Sequence, residues 1–295
     1  MSEGFGPTLS WRSAIQPIKD TAMTKHALHD GFFYAKYSKR LKFSILWENS
    51  DRGIDWMTAD KKEEYFKENV FPYWMEYYFK DERYLKVGNK PVLSIYRVEN
   101  LIEDFGDSSY VKQNIIQWMR EQFIQEGFAG VILLCNDVEF EFSHYERIKE
   151  CGFDYVFSYG QNTQELQSNQ KAKAESVDLQ MIGVASTNWS IEAWDEPGSY
   201  EGYQRDPELF EQDLKWMRNH LMPSFTDNSL GRSMLFFDNW NEYGEGHIIM
   251  PTEGMGFAYL DAIRRVFANA GPHKDIVPTA LQKSRFDTLY PYGDW

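Results

Sequence analysis

The sequence predicts an α/β fold built on a parallel sheet, and three observations predict it. Short, near-continuous apolar runs alternate with longer amphipathic stretches, as strands buried on both faces require. The order is strand, helix, strand, helix, with no hairpin signal between neighbouring runs. No linker, repeat or low-complexity tract divides the 295 residues. Since α/β barrels commonly use ~200–250 residues as one unit, residues 1–295 read as a single domain. A closed barrel and an open doubly wound sheet both fit this pattern.

Six runs read as strands: Leu41–Trp47, Pro91–Tyr96, Gly130–Cys135, Asp154–Ser158, Leu179–Ala185 and Ser233–Asn239. A barrel needs eight. The opening residues have room for one short strand around Thr8–Trp11, so the N-terminal strands are expected to be short or missing. Helices are expected at Thr24–Tyr37, Ala59–Lys80, Ser109–Glu126, Glu146–Glu150, Pro207–Leu221 and Met255–Ala270. In Ala59–Lys80, Asp60 and Glu63 stand at capping-box spacing, and Pro72 should kink or split the helix. Gln161–Asp178 is polar and reads as a long loop with a helical turn at Gln170–Glu175.

Composition excludes several functions. The net charge of −14 argues against nucleic acid as a partner, which needs a basic footprint. No run of about 18 apolar residues exists, so no membrane span is expected. No basic segment followed by an apolar run opens the chain, so no signal peptide is visible, and the protein would be cytoplasmic if Met1 is native. Cys135 and Cys151 read as buried free thiols rather than a disulfide or metal framework. Aromatic residues are 17% of the chain. They read first as large core residues, while a surplus also suits stacking on sugar rings. No Gly-rich phosphate motif follows any strand, and no nucleophile elbow is present.

In a parallel α/β barrel, chemistry gathers at the C-terminal ends of the strands. Those ends carry Trp47, Glu48 and Asn49; Tyr96 and Arg97; Asn136 and Asp137; Tyr159 to Asn162; Ser186 to Trp189; and Asp238 to His247. Carboxylates, amides and aromatics recur, and the Lys/Arg cluster that a phosphate would want does not. The substrate-binding candidates are Trp47, Glu48, Asn49, Tyr96, Asn188, Trp189, Asp238, Trp240, Asn241 and Tyr243. The sequon Asn188-Trp189-Ser190 reads as a ligand contact because it ends a strand. Asp137, Glu139, Glu141 and His144 have ligand-type side chains but read as a solvated face, so no metal site is expected.

Glu242 and Glu245 are the catalytic candidates. They stand three apart in a Gly-interrupted loop directly after a strand, and two carboxylates with separated acidities can divide acid and base work. Ordinary glycosidases place their carboxylates on opposite sides of the scissile bond, ~5–5.5 Å apart for retention and ~6.5–9.5 Å for inversion. Two glutamates on one short loop reach the same side of a sugar. That suits one on the leaving-group oxygen and one on a neighbouring hydroxyl.

Phe236–Leu260 (FFDNWNEYGEGHIIMPTEGMGFAYL) resembles the terminal motif of WbsX-like proteins and of glycoside hydrolase family 99. Leu41–Asn49, Phe79–Tyr96 and Gly183–Trp194 agree with the WbsX-like branch. The resemblance implies a (β/α)8 barrel acting on an oligosaccharide or polysaccharide, with no cofactor. Family 99 members are retaining endo-acting α-mannosidases and mannanases that work through a 1,2-anhydro-sugar. Carried over, Glu242 takes the proton of the 2-hydroxyl, Glu245 is general acid and then general base, and Asn241 orients the pair or binds substrate. Tyr243 stands where the family usually has Trp, and Asn188-Trp189 replaces a more usual Gly-Trp-Asp. Two alternatives remain: a glycosyltransferase of polysaccharide assembly, the label the WbsX-like branch often carries, and a non-catalytic carbohydrate-binding barrel. A nucleotide-sugar donor would need a diphosphate cradle that the sequence does not display.

Overall fold

The computed structural model describes residues 9–11, 28, 32–49, 57–160, 163–190, 205–268, 277, 279–282 and 284. Its strands are β1 (Leu9–Trp11), β2 (Ile45–Trp47), β3 (Lys86–Val87), β4 (Lys90–Ile95), β5 (Ile132–Asn136), β6 (Tyr155–Phe157), β7 (Gln180–Met181), β8 (Gly183–Ser186), β9 (Leu235–Asp238), β10 (Asn241–Glu242) and β11 (His247–Ile248). β1, β2, β4, β5, β6 and β7 pair in that order, all parallel, and β3 lies antiparallel on β4. β8 pairs parallel with β9. β7 and β8 are halves of one run interrupted at Ile182, whose N–H still donates to Val156 at 2.9 Å. The parallel strands follow one another in chain order without reversal. A (β/α)8 barrel has this order, whereas a doubly wound sheet reverses at its switch point. The short opening strand expected around Thr8–Trp11 is β1.

Alternation of side chains sorts each strand onto two faces. Leu46, Val92, Leu134, Phe157, Ile182, Val184 and Met234 form one buried cluster on the inner face. Ile45, Trp47, Leu93, Ile95, Leu133, Cys135 and Val156 face outward, into a larger cluster shared with the helices. Much of the aromatic content lies in that outer layer. Phe71, Phe79 and Phe123 pack with ring centroids 4.7–6.0 Å apart, and Phe43 meets Tyr84 edge-on at 5.2 Å. Cys135 and Cys151 are free and fully buried.

The helical layer departs from the sequence expectations at four places. Residues 59–79 run through Pro72 as one helical stretch, and the turn before the proline, Phe66–Val70, is π-wound. A widened turn relieves the clash between a proline ring and the preceding carbonyls. Thr58, not Asp60, is the N-cap of that stretch. Glu146–Glu150 is the centre of a longer helix, Phe142–Cys151. The expected loop at 161–178 is largely a helix, Gln164–Ser176, capped by Thr163 Oγ1 accepting from the Leu166 N–H at 3.0 Å. Its buried face is Gln167, Gln170 and Ala174, so it has little apolar periodicity. Gln170 Oε1 accepts from Ser158 Oγ at 3.0 Å, and Gln167 Oε1 accepts from the Val184 N–H at 2.9 Å. Of the expected helix Thr24–Tyr37, residues 24–27 and 29–31 lie outside the described residues, and Phe32–Tyr34 is a single 3₁₀ turn. None of the described helices is long and apolar enough to cross a membrane.

Candidate active site

Continuing the inner face of each strand in steps of two to its C-terminal end gives Glu48, Tyr96, Asn136, Tyr159, Ser186 and Asp238. The structure links most of these directly. Tyr96 and Tyr159 meet edge-on at 6.3 Å. Asn136 Oδ1 accepts from the Tyr159 N–H at 2.7 Å. Asp238 Oδ2 accepts from the Gly160 N–H at 2.9 Å and from Ser186 Oγ at 3.1 Å. Its Oδ1 lies 3.0 Å from His247 Nδ1. One buried carboxylate thus joins the ends of β6, β8 and β9 to the ribbon that follows. The Asp238–Asn239 peptide bond is cis.

That ribbon carries the two catalytic candidates. β10 and β11 pair antiparallel, with Asn241 opposite Ile248 and Glu242 opposite His247. Tyr243–Glu245 forms the turn between them. Gly246 closes it at φ 72°, a left-handed conformation that glycine adopts without steric cost. Glu242 and Glu245 are half-buried. The Tyr159 hydroxyl donates to Glu245, and the Ser190 N–H donates to the Glu245 carbonyl at 2.9 Å. Burial raises the Tyr159 phenol far above its ordinary range, and the negative charges of Asp238, Glu245 and Glu242 add to this. Tyr96 is raised for the same leading reason, with Arg97 opposing and Glu245, Glu48 and Asp238 reinforcing.

The remaining candidates divide into two groups. Trp240 and Tyr243 flank the ribbon with 40% and 56% of their surface exposed. Asn241 is exposed, Glu48 and Trp189 are half-buried, and the Arg97 guanidinium lies 5.9 Å from the Tyr96 ring centroid. Four candidates are instead used by the protein itself. Trp47 faces outward, stacked on Phe66 at 5.4 Å and edge-on to Trp74 at 5.3 Å, so it is a core residue and not a sugar platform. Strand parity separates it from Leu46 and Glu48, which lie on the other face. Asn49 is fully buried: its Nδ2 donates to the Arg97 carbonyl at 2.8 Å and its Oδ1 accepts the Arg97 N–H at 2.9 Å. Asn188 Oδ1 accepts from the Arg205 N–H at 2.8 Å. Asp238 is the buried hub just described. Tyr159 and His247, named at strand ends in the sequence but not chosen among the binding or catalytic candidates, contact Glu245 and Asp238. Tyr159 sits two beyond Phe157 on the inner row, and that spacing is the signal that finds it.

The acidic stretch after β5 is a solvated face only in part: Glu139 and Glu141 are exposed, but the other two residues are not. Asp137 and His144 are fully buried. Asp137 Oδ1 accepts from His144 Nδ1 at 2.8 Å and from the Phe140 N–H at 2.9 Å, and Oδ2 accepts from the Tyr145 hydroxyl at 2.5 Å. His144 Nε2 lies 3.1 Å from Glu99 Oε1. Burial disfavours the imidazolium, but the hydrogen bonds to Asp137 and Glu99 outweigh it and raise His144 to about 9. Glu99, Glu139 and His144 bring ligand-type atoms within 4.8 Å of one another, a spacing that could hold a cation. Arg147 already supplies positive charge there, 2.7 Å from Glu139 and 3.4 Å from Glu99.

A parallel α/β fold with carboxylates, amides and aromatics gathered at its strand ends defines the class. The profile of the family Glycosyltransferase WbsX matches residues 32–203 and 156–263, and the chain belongs to the WbsX family. The protein WxcX from two strains of Xanthomonas campestris pv. campestris is 22% identical over 268 residues, covering 81% of this chain and 36% of WxcX. The chain therefore spans about a third of the length of these curated relatives. A glycoside hydrolase-like protein superposes with a TM-score of 0.58 at 15% identity, covering 78% of this chain and 71% of that one. The GH99 endo-alpha-mannosidase from Bacteroides thetaiotaomicron superposes with a TM-score of 0.55 at 14% identity, covering 88% and 73%. At these identities the superpositions establish a shared fold.

Proposed function

We propose that the protein is a retaining glycoside hydrolase acting on an α-linked, mannoside-like glycan with participation of the substrate's 2-hydroxyl. The observation that carries this is the ribbon: Glu242 and Glu245 stand on one short hairpin, a placement that suits reaching one side of a sugar. Glu242 takes the 2-hydroxyl proton as O2 attacks the anomeric carbon, and Glu245 protonates the departing oxygen. A 1,2-anhydro-sugar results. Glu245 then takes a proton from water as it opens the three-membered ring at the anomeric carbon, and Glu242 returns its proton to O2. Two inversions give net retention. Exposed Trp240 and Tyr243 offer apolar faces for sugar stacking beside the pair. The likeness in fold to an endo-alpha-mannosidase supports α-mannosides as the first substrates to try. The test is hydrolysis of α-linked mannooligosaccharides followed by NMR of the released anomer. Retained configuration, with turnover abolished in Glu245→Gln but glycan affinity kept, is expected. Unchanged turnover in Glu245→Gln removes it from the acid role.

The family's description as a glycosyltransferase favours a second reading, transfer of a sugar from a nucleotide donor using the same ribbon. Calorimetric titration with nucleoside diphosphates separates the two. Saturable binding supports transfer, and none supports hydrolysis.

A further inference from the structure

We propose that Asp238 and His247 form a buried positioning pair that acts through Glu242 by receiving the proton Glu242 takes from the sugar. His247 stands directly opposite Glu242 in the β10–β11 ribbon. Facing residues in an antiparallel pair project to the same side with Cβ atoms ~4.5–5.5 Å apart. The His247 side chain is fully buried, and its Nδ1 is committed to Asp238 at 3.0 Å. Asp238 is itself fixed by the Gly160 N–H and Ser186 Oγ. A carboxylate can only accept, so Nδ1 carries the proton and the neutral ring keeps its lone pair on Nε2. That Nε2 is buried and has no hydrogen-bond partner among the described residues. A buried polar atom without a partner is costly and calls for an explanation. Once Glu242 has taken the sugar's proton, its carboxyl on the facing strand can donate to that lone pair.

The proposal rests on the hydrolase reading only for the source of the proton. In the step, the proton leaves the Glu242 carboxyl for Nε2. Glu242 returns to its anion, and the imidazolium charge is balanced by Asp238. No bond to carbon changes, and the proton retraces the path when O2 is reprotonated. Among the described residues, two titratable groups lie against the ring, Asp238 at 3.0 Å and Tyr159 with its ring centroid 5.3 Å from that of His247, and Glu242 faces it across the ribbon.

Imidazole ¹⁵N NMR at neutral pH decides whether the pair exists, in wild type and in Glu242→Gln, with no substrate present. The expected result is an Nδ1-protonated tautomer in both proteins, with an Nε2 resonance that differs between them because the group it faces has changed. An Nε2 resonance identical in both proteins overturns the proposal, whatever reaction the protein catalyses. On α-linked mannooligosaccharides, His247→Gln should lower kcat about tenfold, with KM nearly unchanged and the acid limb of the pH profile displaced. A kcat and pH profile equal to wild type overturn it. Absence of hydrolysis in wild type defeats the hydrolase reading and leaves the NMR comparison to decide the pair.

Discussion

The Tyr159 hydroxyl donates to the Glu245 carboxylate across 86 residues of sequence. With the Ser190 N–H on the Glu245 carbonyl, this holds both the side chain and the main chain of Glu245 from strand ends outside its own ribbon. Burial and three nearby carboxylates keep the Tyr159 phenol protonated, so it remains a donor throughout the neutral range. Tyr159→Phe removes the donor while conserving the ring. We expect kcat on α-linked mannooligosaccharides to fall roughly 10- to 100-fold, with thermal stability close to wild type. Steady-state kinetics beside a melting curve check it.

Trp47 belongs to the core in spite of its place at a strand end. Trp47→Ala is expected to cost about 3–5 kcal/mol of stability, the usual range for emptying a large aromatic site. Glycan affinity of the folded fraction should stay unchanged. Denaturant midpoints together with affinity measured below the transition test both halves. A selective loss of affinity at full stability would return Trp47 to the binding surface.

Lys62 and Asp104 pair at 2.7 Å with only 9% and 1% of their side chains exposed. This contact joins the start of the helical run 59–79 to the helix Val98–Phe105. Asp104→Ala leaves a buried ammonium without its carboxylate and should cost about 3–5 kcal/mol. Combining it with Lys62→Met should restore most of that loss. Urea denaturation of the two variants measures the difference.

His144 predicts how stability depends on pH. Its value in the folded protein, about 9, lies above the ordinary 6.5, so the folded state holds the proton more tightly. The stabilisation is full below about pH 6.5 and is lost as pH rises towards and through about 9. Its size is on the order of 3 kcal/mol, since each unit is worth about 1.4. His144→Gln should be less stable than wild type at pH 6, and its unfolding free energy should change less between pH 6 and 9.5. Equal slopes in both proteins would contradict this role.

The parallel strands were legible because they are buried on both faces and carry apolar runs that nothing else in the chain imitates. The helix Gln164–Ser176 was not, because its buried positions are two glutamines and an alanine, and hydrophobic periodicity cannot register a polar interface. The catalytic candidates were visible as a spacing, Glu242 and Glu245 after an apolar run. Their setting was not, because Tyr159 is remote in sequence and Asp238 looks like any strand-end carboxylate until its three donors are seen. Trp47 and Asn49 were misplaced for a geometric reason. Proximity to a strand end does not say which face a side chain takes, whereas counting by twos from Leu46 does.

Cys135 lies in β5 and Cys151 ends the helix Phe142–Cys151, and burial raises both thiols, Cys151 to about 12. Neither thiolate population nor access then permits alkylation of the native protein. Each cysteine reacts only when its own surroundings open, so the pair forms a built-in clock with one hand on the sheet and one on the outer layer. The ratio of the two labelling rates reports whether that layer peels away before the strands part.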